Sequence, residues 1–189
     1  MDDKRADEAK LIPLIKKAQR GDTAAFEKVY EHFFDSVYRY AAFRLPEEVC
    51  EDLVAEIFVK VWEKLHTYKI RRNIPFGAWL FRIVRHSVID AYRKHRSFEE
   101  IPESLEDTDT LNKAETRVKQ QLLIKTVRGA MDKLPSRYRE VLHLSYMADL
   151  PHSEVARVMR TSEGSVRTLK FRALKRLEEN LPPDMQENV

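Results

Sequence analysis

Apolar positions recur along this chain at the three-and-four spacing of a helix face, with charged residues filling the positions between. A first patch at Leu11, Ile12, Leu14 and Ile15 predicts a short helix, and Gly21-Asp22 reads as a break followed by a cap. From Phe26, apolar residues fall at 29, 30, 33, 34, 37, 38 and 41, a long stripe rich in Phe and Tyr that reads as core. Pro46 restarts the chain, and Glu47 to Leu65 predicts a helix with Cys50, Leu53, Val54, Ile57, Phe58, Val61, Trp62 and Leu65 on its wide apolar side. Tyr68 to Pro75 reads as a loop closed by the Asn73-Ile74-Pro75 bend. The next helix, from Phe76 to about 96, turns Phe76, Trp79, Leu80, Ile83, Val84 and Val88 inward. The period lapses over 97 to about 113 and resumes in a helix from Glu115 to Leu134, with Val118, Leu122, Ile124, Val127 and Met131 apolar. Three helices with two sharp breaks follow. Ser136 to Met147 carries Tyr138, Val141, Leu142 and Leu144; Asp149-Leu150-Pro151 breaks it; His152 to Met159 carries Val155, Val158 and Met159. After Arg160-Thr161, Ser162 is a good N-cap, and the last helix buries Val166, Leu169, Ala173, Leu174 and Leu177.

The prediction is therefore an all-α chain of two small helical domains joined by a flexible acidic linker. Composition agrees: of 189 residues, 34% are charged and 43% hydrophobic, and only four are Gly. No apolar run approaches the roughly 18–20 residues of a membrane span, and MDDKRADEAK is no signal peptide. The one cysteine, Cys50, forms no internal disulfide, which fits a reducing cytoplasm, and its place on an apolar face predicts an inert thiol. The six His residues show no metal-ligand spacing, and there is no Gly-rich phosphate loop and no nucleophile elbow, so neither a metal, nor a cofactor, nor a catalytic residue is expected.

The net charge of +3 says little; its distribution says more. Between Arg157 and Arg176 there are seven Arg/Lys against one acid, Glu163. Two short helices joined by a tight turn, the second longer and basic, make a helix-turn-helix pattern. Arg167, Thr168, Phe171, Arg172 and Lys175 fall away from the apolar stripe or at its edge. Such a face suits a major groove: Arg can fork onto guanine, Thr and Phe can meet a thymine methyl, and Lys can sit on phosphate. A solvated basic helix is the plainer alternative. A second basic run, eight Arg/Lys between Lys69 and Arg96 against Asp90 alone, suits a surface that holds backbone phosphates beside an unstacked base. Asp90 and Arg93 are expected to pair at i,i+3. By contrast the helix from Glu47 has an acidic outer side of Glu47, Glu48, Glu51, Asp52, Glu56 and Glu63, and Glu99 to Asp109 holds six acids and no base. The seventeen or so residues from 97 to about 113, extended, reach roughly 55–60 Å, somewhat under two duplex turns of roughly 34 Å each.

The motifs then become specific. Leu134-Pro135, Tyr138-Arg139, Val141-Leu142, Leu144 and Tyr146, followed by Ser153-Glu154-Val155-Ala156 and by Ser162-x-Gly164-Ser165-Val166-Arg167-Thr168, resemble region 4 of sigma-70-type factors, the extracytoplasmic-function (ECF) subfamily in particular. Residues 25–45 resemble the opening helix of ECF region 2, and Phe76 to Arg93 resembles regions 2.3 and 2.4. Two departures stand out: Arg160 where the turn usually carries Gly, so that the turn is either reshaped or mildly strained, and Ala55 where the family usually has Gln.

The resemblance spans about residues 22–180 and implies a sigma factor with no chemistry of its own, which binds core RNA polymerase and promoter DNA. It divides the chain into an N-terminal extension (1–21), region 2 (22–96), a linker (97–114), region 4 (115–181) and a tail (182–189). It implies polymerase contacts at Asp52, Leu53, Glu56, Ile57 and Phe58. Contacts to the −10 element fall to Tyr68, Lys69, Arg71, Arg72, Asn73, Arg82, Arg85 and Arg93. Contacts to the −35 element fall to Ser162, Ser165, Arg167, Thr168, Lys170, Phe171, Arg172 and Lys175, with Lys170 and Lys175 on phosphate. About nine residues follow region 4, leaving no room for a large regulatory extension, so control by a separate anti-sigma factor is expected. The competing reading is an independent helix-turn-helix regulator that binds duplex DNA without polymerase.

Overall fold

The computed structural model describes residues 2–70, 74–98 and 111–186, which form helices in the order the apolar spacing predicts. Helix α1 (Asp2–Ala18) leads to Gly21, whose φ of 91° suits a residue without a Cβ. The turn sets Asp22 as N-cap of α2 (Thr23–Ala42), its Oδ1 accepting the Ala25 N–H at 2.9 Å. The aromatic stripe of α2 is core. Phe26 meets Trp62, Tyr30 meets Phe58 and Phe33 meets Phe76, with centroids 4.8, 4.5 and 5.5 Å apart, so α2 is tied to α3 (Glu47–Lys64) and α4 (Phe76–Phe98). Val29, Val37, Ile57, Val61, Leu80, Phe81 and Val84 are fully buried among them, each worth about 1.5–3 kcal/mol relative to exposure.

The second domain runs from α5 (Leu111–Asp132) through α6 (Ser136–Leu142), α7 (His152–Met159) and α8 (Glu163–Asn180) to a short α9 (Pro183–Gln186). Val166 and Ala173 of α8 are buried, and Leu169, Leu174 and Leu177 pack at the edge of the core. Helix α6 does not continue as an α-helix to Met147. It widens into a π-turn over His143–Met147, with the Ala148 N–H reaching back five residues to the His143 carbonyl at 3.0 Å.

Three expectations change. Helix α4 continues to Phe98 and α5 starts at Leu111 rather than Glu115, since neither Arg96–Phe98 nor Leu111–Ala114 holds a Gly or Pro to stop a helix. The core of the 97–114 linker, residues 99–110, lies outside the described residues. On α5, Leu122 and Ile124 are exposed, whereas Val127, Ala130 and Met131 of the later turns pack on the core. The third change is the largest: the two domains pack on one another, α4 against α7 and the end of α2 against the π-turn.

Candidate nucleic-acid interface

The helix-turn-helix is set by its turn. Arg160 adopts φ 54° and ψ 53°, the left-handed conformation, so the turn keeps its shape and the residue bears the strain. The Thr161 N–H closes α7 on the Ala156 carbonyl at 2.9 Å. Ser162 then caps α8: its Oγ accepts the Ser165 N–H at 3.1 Å and lies 2.8 Å from the Ser165 Oγ. With both ends of the turn pinned, α8 presents Arg167, Thr168, Phe171, Arg172 and Lys175 to solvent. Phe171 is 70% exposed, a ring with no part in the core. Ser162, Ser165, Thr168 and Arg172 share a shallow groove with Arg137 at the start of α6, a cation that sequence reasoning passed over. Lys170 stands apart from the rest. Its Nζ sits 4.4 Å above the Tyr146 ring, a cation–π contact that props α8 on the π-turn.

The expected −10 surface is divided. Tyr68 is only 5% exposed, packed against Phe76 and Trp79, and its hydroxyl donates to the Ile74 carbonyl at 2.9 Å. That burial corrects its assignment as a base-contacting ring: Tyr68 closes the base of the loop from inside the core. The Gln19 amide steadies the same base by donating to the Leu65 and Tyr68 carbonyls at 2.9 and 2.7 Å. Lys69 is exposed, and Arg71, Arg72 and Asn73 lie outside the described residues. On α4, Arg93 is exposed. Arg82 and Arg85 turn to the other domain: Arg82 Nη2 donates to the Arg157 carbonyl at 2.8 Å, and Arg85 Nε lies 3.2 Å from the Glu140 carboxylate. Among the described residues Asp90 and Arg93 make no hydrogen bond or ion pair with each other; both point into water, where such a pair gains little.

On α3, Asp52 and Glu56 are exposed, and Leu53 forms part of the wall of a groove shared with Trp79, Arg82 and Ile83 of α4. Ile57 and Phe58 are corrected from contact to core. They share a face with Cys50, Val54 and Val61 and are 0% and 4% exposed. The large apolar residue that α3 does show to solvent is Val59, 57% exposed among the acids. Cys50 is fully buried; burial first, then the charges of Glu51 and Glu47, push its thiol up to about 11, which makes it unreactive.

The family model for sigma-70 region 2 matches residues 29–98, and that for sigma-70 region 4 matches residues 124–177. The chain is also 31% identical over 182 residues to the ECF RNA polymerase sigma factor BldN of Streptomyces coelicolor, an alignment covering 95% of this chain and 69% of that protein. The chain belongs to the ECF RNA polymerase sigma factors. The ECF sigma factor ShbA of Streptomyces griseus is 30% identical, over 92% of this chain and 96% of its own length. Among solved structures, CnrH in complex with the cytosolic domain of CnrY is similar with a TM-score of 0.68 and 25% identity, over 88% of this sigma factor and 93% of that chain. The two matched regions contain the whole of α4 and α8 as far as Leu177.

Proposed function

We propose that this sigma factor directs core RNA polymerase to promoters whose −35 element is read by α8 and whose −10 element is opened along α4 and the 68–75 loop. In this reading residues 22–96 serve polymerase and the −10 element, and residues 115–181 serve the −35 element. The observation that carries it is the outward face of α8, where Arg167, Arg172 and Lys175 have no side-chain partner among the described residues and Phe171 stands bare beside them. Such a face gains only by meeting a groove. Asp52, Glu56, Leu53 and the exposed Val59 of α3 are assigned to polymerase, an apolar contact ringed by orienting charge. The reading gives the chain no reaction of its own to catalyse and places it in the cytoplasm with polymerase; among the described residues no helix is long and apolar enough to cross a membrane. An anti-sigma factor is assigned as its regulator, supported by likeness to CnrH, a chain captured with the cytosolic domain of another protein.

The test is transcription by purified core polymerase on a pool of bacterial promoter fragments, with and without this protein. Specific initiation that depends on the protein is expected. Tight duplex binding with no initiation would instead favour a regulator that works without polymerase.

A further inference from the structure

Side chains of both domains meet in one buried polar knot between α2, α4 and α6. Glu140 of α6 is only 7% exposed. Its Oε1 accepts the Tyr40 hydroxyl at 2.8 Å and lies 3.2 Å from Arg85 Nε, while its Oε2 pairs with Arg44 Nη2 at 2.9 Å. Arg44 also donates from Nη1 to the Tyr40 oxygen at 2.8 Å and from Nε to His143 Nδ1 at 2.6 Å. Every contact of Glu140 named here crosses from the second domain to the first. Three more arginines bridge the same seam through carbonyls: Arg39 to Met147, Arg82 to Arg157 and Arg128 to Ala42, at 3.2, 2.8 and 2.6 Å.

The chemistry of the knot resembles that of a nucleic-acid contact. A carboxylate that hydrogen-bonds one guanidinium, that of Arg44, and lies within ion-pair reach of a second engages them much as a phosphate would, although the Arg85 Nε makes no hydrogen bond there. Beside it opens a cleft of about 450 Å³ lined by Arg44, Arg85, Arg93, Arg128, Arg137 and Arg139, with Asp132 and Glu140 its only acids among the described residues. Arg82 and Arg85 are, with the exposed Arg93, the α4 residues assigned above to the promoter strand.

We propose that Glu140 is an internal stand-in for a promoter phosphate: in the free sigma factor it clasps Arg44 and Arg85 and keeps α4 from DNA until the domains part. This inference rests on the assignment of α4 to the −10 strand. The clasp is suited to release. A buried ion pair nearly cancels its own attraction by the loss of hydration, so the open state, with every charge back in water, lies within reach.

The experiment uses the full-length protein with fluorophores on Glu63→Cys and Glu178→Cys, exposed positions of the two domains, the buried Cys50 remaining unlabelled. Energy transfer reports closure, and a single-stranded deoxyoligonucleotide at fixed salt reports access to α4. Glu140→Ala is expected to lower transfer and tighten oligonucleotide binding about tenfold or more. Tyr40→Phe, which removes the hydroxyl's two bonds, to Glu140 and from Arg44, and keeps the ring in the core, should move both readouts the same way by less, and decides the matter should Glu140→Ala fail to fold. Glu27→Ala, an exposed acid away from the seam, controls for net charge and should change binding by less than about twofold. Unchanged transfer in the clasp variants overturns the masking and leaves the α4 assignment standing; so does opening with no gain in binding. A gain that survives Arg82→Ala and Arg85→Ala overturns the α4 assignment and the masking together.

Discussion

Arg160 shows how one backbone angle governs a recognition surface. A residue with a Cβ in the left-handed region costs about 1–2 kcal/mol more than one in a right-handed helix, yet the turn between α7 and α8 keeps its form with Arg160 at φ 54°. Arg160→Gly should therefore stabilise the folded protein by about 1 kcal/mol, the relief of strain outweighing the extra freedom of glycine when unfolded. Thermal unfolding checks this; an unchanged or lower midpoint would mean that the side chain offsets its backbone. At this scale the sequence was a partial guide. It flagged Arg160 as out of pattern but left open whether the turn would deform. It put Ile57, Phe58 and Tyr68 on contact lists by likeness, although the apolar period already set Ile57 and Phe58 on the buried side of α3. Period reports burial, and burial decides what a partner can touch. Tyr68 was harder, because a loop residue has no period, and only its packing on Phe76 and Trp79 of α4 shows its ring enclosed.

At the scale of the element, the proposed reading divides the labour of α8 along its length. In it Arg167, near the capped N-terminus, reaches base edges, whereas Lys175, two turns later, meets a phosphate. Arg167→Ala should weaken binding to the cognate −35 site by roughly 1–3 kcal/mol relative to a scrambled site. Lys175→Ala should weaken both about equally and lower the salt dependence of binding. Binding measurements on the two duplexes across a salt series separate the assignments, and equal loss on both duplexes for Arg167→Ala would sink the first. Helix existence and order were legible because apolar spacing is a strong signal over ten residues or more. The π-turn at His143–Met147 was not, since widening a single turn leaves Val141, Leu142 and Leu144 apolar and in sequence as before. The bare Val59 and the Lys170–Tyr146 contact were equally silent, one a lone residue among acids, the other a contact between separate helices.

Across the whole molecule, the seam between domains adds a response to pH. His143 accepts from Arg44 at Nδ1, so it is neutral with its proton on Nε2. Burial, then the charges of Arg44 and Arg139, hold its pKa well below the ordinary 6.5. Glu140, Tyr40, Phe43 and Arg44 surround it, and none offers the Nε2 proton a partner among the described residues. When the domains part, His143 returns to water and titrates normally. Below about pH 6.5 the open form therefore takes up a proton that the closed form refuses, so closure is complete above that value and weakens as acid is added. Interdomain energy transfer should fall between about pH 7.5 and 5.5, and His143→Asn should flatten the trend; a fall that persists in that variant would assign it to another group. None of this was legible in the chain, where Tyr40, Arg44, Glu140 and His143 stand in separate segments and only folding brings them together.

The ion pair at Arg85 also bears on where copies of the protein spend their time. A chromosome offers on the order of 10⁶–10⁹ non-specific sites, and each phosphate neutralised steepens the salt dependence of binding by about 0.9 in the log–log slope. On the proposed assignment of Arg85 to promoter phosphate, a factor that keeps it on its own carboxylate should forgo such contacts and leave bulk DNA sooner. A larger share of a small pool then stays in solution, where it can meet a polymerase without first being released from the chromosome.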